Sequence, residues 1–213
     1  YLAKKLSSSG ITLSEVRVLG DDESKLVEAI NNLRKNYNYV FTSGGIGPTH
    51  DDITAEAIAK AFKVSLKINR EAVTLLASHY PNGEADINSA RLRMCRIPEG
   101  AALIPNPISK APGFFLENVF VMAGVPSIFK AMVDSIVPDL SGGPPLLSIS
   151  LRIDKGEGDI ATELSKIAKE HYQISIGSYP FNQDGRYGTI IVARHTDMRI
   201  LEKLKKKMQA LLL

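Results

Sequence analysis

The stretch "VFTSGGIGPTHDDIT", residues 40 to 54, places three glycines and two adjacent aspartates between a short apolar run and the helix-forming "TAEAIAKAF". A strand that runs into a helix through glycines offers free backbone N–H groups to an anion. Two familiar phosphate loops are excluded. A Walker A loop needs a lysine after its last glycine, and none stands here; a dinucleotide fingerprint needs a third glycine where this chain has His50. What remains is a loop in which Gly44, Gly45 and Gly47 permit positive φ and close backbone approach.

The aspartates, Asp51 and Asp52, have two readings. As partners of a helix dipole, acids at this position are worth about 0.3–1 kcal/mol each. A carboxylate about 5 Å from a phosphate charge, however, is repelled by roughly 3 kcal/mol at an effective dielectric of about 20. A divalent cation bridging the two reverses the sign, and Mg²⁺ is commonly held by one or two carboxylates plus substrate phosphates. Helix capping and metal binding at a phosphate both remain open on this chemistry.

Outward from the loop, the preceding text reads as helix "YLAKKL", a strand-like "ITLSEVRVL" and a helix "ESKLVEAINNLRKNY" opened by Asp21 and Asp22. The following text reads as helix "TAEAIAKAF" with Thr54 as its cap, helix "REAVTLLASHY", loop "PNGEAD" and helix "INSARLRMCRI". A proline- and glycine-rich stretch then carries short β runs, with Glu117 and Asn118 turning a hairpin between "GFFL" and "VFVM", before helix "SIFKAMVDSIV". Alternating strands and helices predict parallel strands covered by helices. "SGGPP", 141 to 145, sustains neither helix nor strand and marks a boundary between domains at 1–140 and 146–213. The second piece reads β-α-β-β-α, a small sheet with helices on one face, with a turn after Asp184.

The chain has 213 residues, 44% hydrophobic and 23% charged, enough to bury a core without disulfides or structural metals. Its one cysteine, Cys95, reads as a small buried hydrophobe on a helix face. Residues 1–145 are charge-balanced, so the +3 excess falls in the second piece, mostly in "KLKKK". There Ile200, Leu204, Met208 and Leu211 recur at helical spacing and turn Lys203, Lys206 and Lys207 to water, which argues against a nucleic-acid partner. "GRYG", 185 to 188, falls between strands rather than helices, unlike a KH loop. His50 reads as a polar loop contact, and His79, His171 and His195 are isolated. Arg91, Arg93 and Arg96 read equally as phosphate contacts or as a solvated helix face. No apolar run approaches a membrane span and no signal peptide is present, so no membrane partner and a cytoplasmic location are expected.

"TSGGIGPTHDDIT" with "AEAIAKAF", "NPISKAPGF" (106 to 114) and "MAGVPSIFKAM" together resemble the molybdopterin-binding fold of molybdenum-cofactor biosynthesis, most closely its CinA (competence/damage-inducible) branch. "GDIATELSKIAKEHYQISIGSYPF" is similar to the region that closes the molybdopterin-binding-like part of FAD synthases. The resemblance implies a three-layer α/β/α sandwich with a small C-terminal α+β domain. It places a nucleotide or pterin site on Ser43, Gly44, Gly45, Gly47, Pro48, Thr49, Asp51 and Asp52, faced by Lys110, Ala111, Pro112 and Gly113 and by Gly124, Val125 and Pro126. It implies metal-dependent cleavage of the pyrophosphate of ADP-ribose or FAD, with Asp51 and Asp52 as catalytic residues and ligands of Mg²⁺, Mn²⁺ or Co²⁺. Molybdopterin binding, with or without adenylylation, and a non-catalytic binding module are the alternatives it leaves, and a homo-oligomer is expected. The family's opening strand and its Gly-Asp/Asn-Glu loop would precede Tyr1, and Ile108, Ser109 and Lys110 stand where the family carries a glycine. Neither a deamidase nor an adenylyl-transferring domain is matched, so neither activity is expected of these residues.

Overall fold

The structure, a computed structural model, describes residues 1–183 and 185–212, and of Leu211 the backbone only. Asp184 and the Leu211 side chain, both used in the sequence reading, lie outside the described residues. Two compact units emerge: Tyr1–Leu2 with Ser14–Leu140, and Ala3–Leu13 with Ser141–Leu213.

The chain opens with α1 (Leu2–Ser8), followed by α2 (Glu23–Asn36) and β1 (Val40–Ser43). Asp22 caps α2 by accepting the N–H of Lys25, Glu23 lies in its first turn, and Arg34 and Lys35 lie in its last, as the helix dipole favours. Next come α3 (Thr54–Phe62), β2 (Leu66–Ile68), α4 (Arg70–Ala77), α5 (Ser89–Arg93), β3 (Arg96–Pro98) and β4 (Ala102–Ile104). The hairpin of β5 (Gly113–Leu116) and β6 (Val119–Met122) and then α6 (Pro126–Ile136) complete the first unit.

Its main sheet has the order β1-β6-β5-β4, with β1 parallel to β6 and the other pairs antiparallel. The sheet is therefore mixed, not the all-parallel one that alternation suggests, because the 105–112 loop and a tight turn at Glu117 and Asn118 send the chain back antiparallel at β5 and again at β6. Val40, Val119, Val121 and Phe114 point from one face into a core shared with Ile30, Ile58, Val73 and Leu76 of α2, α3 and α4. Six of the nine positions of α3 are buried, and its four alanines allow the close approach this requires. The opposite face carries a ladder of rings, with Phe120 stacked at 5.3 Å on Phe41 and at 5.1 Å on Phe115. On that face Met132 of α6 reaches the Cα of Gly113, where an added Cβ would sit 3.5 Å from its sulfur. Helices on both sides of a sheet make the α/β/α arrangement that the resemblance implies.

The second unit holds β7 (Leu147–Ile153), α7 (Glu157–Glu170), β8 (Ser175–Gln183), β9 (Arg186–His195) and α8 (Met198–Leu212). Its antiparallel sheet runs β7-β9-β8, and α7 and α8 bury Ile160, Ile167, Leu201, Leu204 and Met208 against Leu151, Ile153, Ile191 and Ala193. Residues 3–13 group with this unit although the sequence reading put them in the first. Gly143 donates its N–H to the Gly10 carbonyl at 3.1 Å, and Gly142 lies so close to Ser9 that a Cβ would meet its carbonyl oxygen at 1.8 Å.

Three local expectations are corrected. "ITLSEVRVL" forms no strand: it joins no ladder among the described residues, and Val16 and Val18 are exposed. Side chains fix it instead, through Glu15 with the Tyr37 hydroxyl at 2.7 Å and Arg17 with Asn32 at 3.0 Å. The helix expected over 87 to 97 stops at Arg93, because Arg96–Pro98 pairs with β2. Thr54 does not cap α3; it is the helix's first residue, and Ile53 before it has no capping side-chain bond.

Candidate functional site

The parallel pairing of β1 with β6 brings the loops after both strands to one end of the sheet. Gly44 donates its N–H to the Met122 carbonyl at 2.9 Å, and Gly124 packs on Gly44 so closely that a Cβ would lie 3.1 Å from its Cα. Gly44 and Gly45 adopt φ of 99° and 70°, the left-handed region that glycine enters without strain. The loop closes where Thr54 donates its N–H to the Gly45 carbonyl at 2.9 Å. Gly47 is required for a different reason, since a Cβ there would meet the Asp52 carboxylate at 2.6 Å.

The two aspartates are not equivalent. Oδ2 of Asp52 accepts the Thr49 N–H at 2.8 Å and the Thr49 hydroxyl at 2.6 Å, which makes Asp52 an internal brace of the 47–52 turn. Burial pushes its carboxyl up, but the bonds from the Thr49 hydroxyl and from the Thr49 and Gly47 N–H groups prevail and leave it below the ordinary range. Asp51 is 62% exposed, and hydrogen bonding from Thr49 holds its carboxyl low as well. It is ionised and open to water. The His50 side chain is fully exposed, with Nδ1 4.0 Å from the Asp51 carboxylate.

Of the facing segments, Pro112 is buried and shares a small cavity with Gly45, Gly47 and Asp52. Gly113 lies inside β5, against the Val121 carbonyl. Val125 and Pro126 open α6 beside Gly124, and Ser43 ends β1. Lys110 is held at φ 61° by buried Asn106, whose side-chain NH2 donates to Ser109 Oγ at 2.6 Å and to the Ala111 carbonyl at 2.8 Å, and whose backbone carbonyl accepts the Lys110 N–H. The structure thus joins the glycine loop, Pro112 and Gly124, and records no bond from Lys110 to the aspartates.

Reading by sequence missed Glu56. From the first turn of α3 it pairs with Arg96 at 2.5 Å and lies 3.6 Å from Arg93. Arg91, by contrast, lies over the Tyr80 ring at 4.1 Å, away from the loop. An acid one turn into α3 with two arginines some 40 residues on is a non-local signal that no spacing rule detects. Cys95 is buried, which pushes its thiol up to about 11, as suits a packing residue.

A divalent metal would find few protein ligands here. Among the described residues no three His, Cys, Asp or Glu side chains converge as a cage. Asp51, supported by Asp52, can supply the one or two carboxylates with which Mg²⁺ is held when phosphates complete its shell.

Comparison with known proteins agrees with this architecture. A protein of Archaeoglobus fulgidus is 32% identical over 84% of this chain and 76% of its own length. A CinA-like protein of Geobacter metallireducens is 35% identical over 65% of this chain, which spans 35% of that protein. The crystal structure of the protein CinA, of unknown function, from Thermoplasma acidophilum superposes with a TM-score of 0.54 at 32% identity, over 60% of this chain and 78% of that one. No described helix is long and apolar enough to cross a membrane. Residues 145–213 match the middle domain of FAD synthase, and with residues 1–142 matching the family described as a probable molybdopterin binding domain, the chain belongs to that family.

Proposed function

We propose that the chain is a metal-dependent nucleotide pyrophosphatase acting on dinucleotides such as ADP-ribose or FAD. The observation that carries this reading is the division of labour between the aspartates: Asp52 braces the turn, while Asp51 presents an ionised, exposed carboxylate beside the amides of the glycine loop. A loop that only bound an anion would gain nothing from that charge and would be opposed by it.

With the N–H groups of Gly44, Gly47, Thr49 and Thr54 engaged inside the fold, those of Gly45 and Ile46 and of Ala55 and Glu56 in the first turn of α3 bind phosphoryl oxygens, beside Pro112 and the Gly44–Gly124 contact. Asp51, supported by Asp52, would hold Mg²⁺, Mn²⁺ or Co²⁺, which when bound neutralises diphosphate charge and lowers the pKa of the attacking water. In the overall reaction the water oxygen bonds to one phosphorus as the bridging P–O bond breaks, and AMP leaves with the other half released as a phosphate monoester. Lys110, locked by the Asn106 loop, adds a cation on the facing segment.

A second reading, molybdopterin binding, is favoured by the family description itself. Molybdopterin carries one terminal phosphate, so its binding needs a metal far less than that of a bridged diphosphate. The test is release of AMP from ADP-ribose or FAD with each metal, alongside calorimetry with and without a chelator. AMP release that a chelator abolishes is expected. Failure of both dinucleotides to bind under every metal, with molybdopterin bound in either condition, overturns the pyrophosphatase reading.

A further inference from the structure

Beneath the glycine loop, Arg93 and Arg96 converge on one carboxylate. Arg96 Nη2 meets Glu56 Oε1 at 2.5 Å, Arg93 Nη2 stands 3.6 Å from the same oxygen, and Arg93 Nη2 also donates to the Asp52 carbonyl at 3.3 Å. Two guanidinium groups meet the Glu56 carboxylate here, and Asp52, which lines the same cavity, brings the local charge close to balance. The three side chains are only 24–32% exposed, so water screens these charges incompletely and both guanidinium groups keep a strong field at the cavity.

The cluster is also under-satisfied. Arg93 Nε and Glu56 Oε2 are buried without a hydrogen-bond partner, and a buried donor without an acceptor is a cost that structures rarely retain without a reason. Arg93 and Arg96 line the small cavity under Gly45, Gly47, Asp52 and Pro112. Its volume is about 10 Å³, space for one water-sized atom rather than a whole phosphate.

We propose that Arg93 and Arg96 form an anion subsite continuous with the glycine loop, which takes a single phosphoryl oxygen of the bound ligand into this cavity. The fork of a guanidinium suits an oxyanion better than a lysine does, and a donor already in place needs no reorganisation to receive it. Glu56 holds the two arginines apart and in register while the oxygen is absent. One end of a diphosphate is then gripped from below by arginine and the other approaches Asp51, so the subsite sets which phosphoryl group is presented. The inference deepens the phosphate-site reading above and rests on it for the identity of the ligand.

The test uses the whole chain with inorganic pyrophosphate and Mg²⁺. Calorimetry on Arg96→Gln should show binding weakened about tenfold, equivalent to about 1.4 kcal/mol, with Arg96→Lys recovering only part of it. Because these variants can disturb packing, the unmutated protein is also labelled with phenylglyoxal and mapped by mass spectrometry. Pyrophosphate should protect Arg93 and Arg96, while Arg199, 90% exposed, labels equally with and without it. Unchanged affinity in a folded Arg96→Gln variant, or absence of protection while pyrophosphate binds, overturns the subsite. Protection without any AMP release from dinucleotides would uphold the subsite and sink the pyrophosphatase reading, whereas metal-dependent AMP release without protection does the reverse.

Discussion

Replacing each aspartate by asparagine separates bracing from chemistry. In Asp52→Asn the side chain keeps its shape but loses its charge, and one of its two acceptor positions becomes a donor. The native carboxylate takes the Thr49 N–H at 2.8 Å and the Thr49 hydroxyl at 2.6 Å, and Gly47 N–H as well. Hydrogen bonds to a charged group are worth about 1.5–3 kcal/mol and neutral ones about 0.5–1.5. With one bond lost and the rest weakened, and with water screening a carboxylate that is not deeply buried, the expected cost is about 1–2 kcal/mol. For a chain of this size that lowers Tm by about 2–8 °C. The sign with pH follows from the lowered carboxyl: the stability Asp52 contributes is whole above its ordinary 3.8 and is lost as pH falls through the folded value. The gap between wild type and Asp52→Asn should therefore close in acid. Asp51→Asn, at an exposed position, should leave Tm where it was and yet abolish metal-dependent AMP release. Thermal unfolding from pH 3 to pH 8 with parallel AMP assays checks both. Equal Tm for the two variants, or full turnover in Asp51→Asn, would refute the reasoning.

Other outcomes are as specific. Gly113→Ala forces a Cβ to within 2.4 Å of the Val121 carbonyl oxygen inside the sheet, so chemical denaturation should show a loss of about 1–3 kcal/mol. Lys110→Gly relieves a left-handed backbone worth about 1–2 kcal/mol at an entropic cost of about 0.5–1, so it should stabilise slightly while weakening dinucleotide binding. The Cys95 thiol, raised to about 11, should resist a thiol reagent at pH 8 in the folded protein and react on denaturation; rapid native labelling would contradict its burial. Brief proteolysis should cut first within the exposed 141–145, and early cuts inside 146–213 would count against that connector.

What the sequence disclosed was local. Asp22 announces α2 because its cap bond reaches only to Lys25. The β5–β6 hairpin shows itself in two apolar runs about Glu117 and Asn118, and the glycine loop in its own composition. What it concealed depends on distant partners. The 11–19 run alternates like a strand, but alternation names no neighbour to pair with. Residues 94 to 97 continue a helical pattern, yet Ile97 is drawn across from Lys67 by a ladder 30 residues away in sequence. The same limit hid Glu56 as the meeting point of Arg93 and Arg96, and it made Asp51 and Asp52 look like equals when partial burial and the backbone N–H groups of Thr49 and Gly47 tell them apart.

The turn braced by Asp52 also bears on the thermodynamics of recognition. Residues 47 to 52 are closed by their own hydrogen bonds, so the chain has already lost the conformational freedom that a floppy phosphate loop would surrender on contact. Binding at such a loop should carry a small entropic penalty and be limited by diffusion rather than by loop ordering. Loosening the turn, as in Asp52→Asn, should then slow association and make the entropy of binding more unfavourable even for an anion that never touches Asp52.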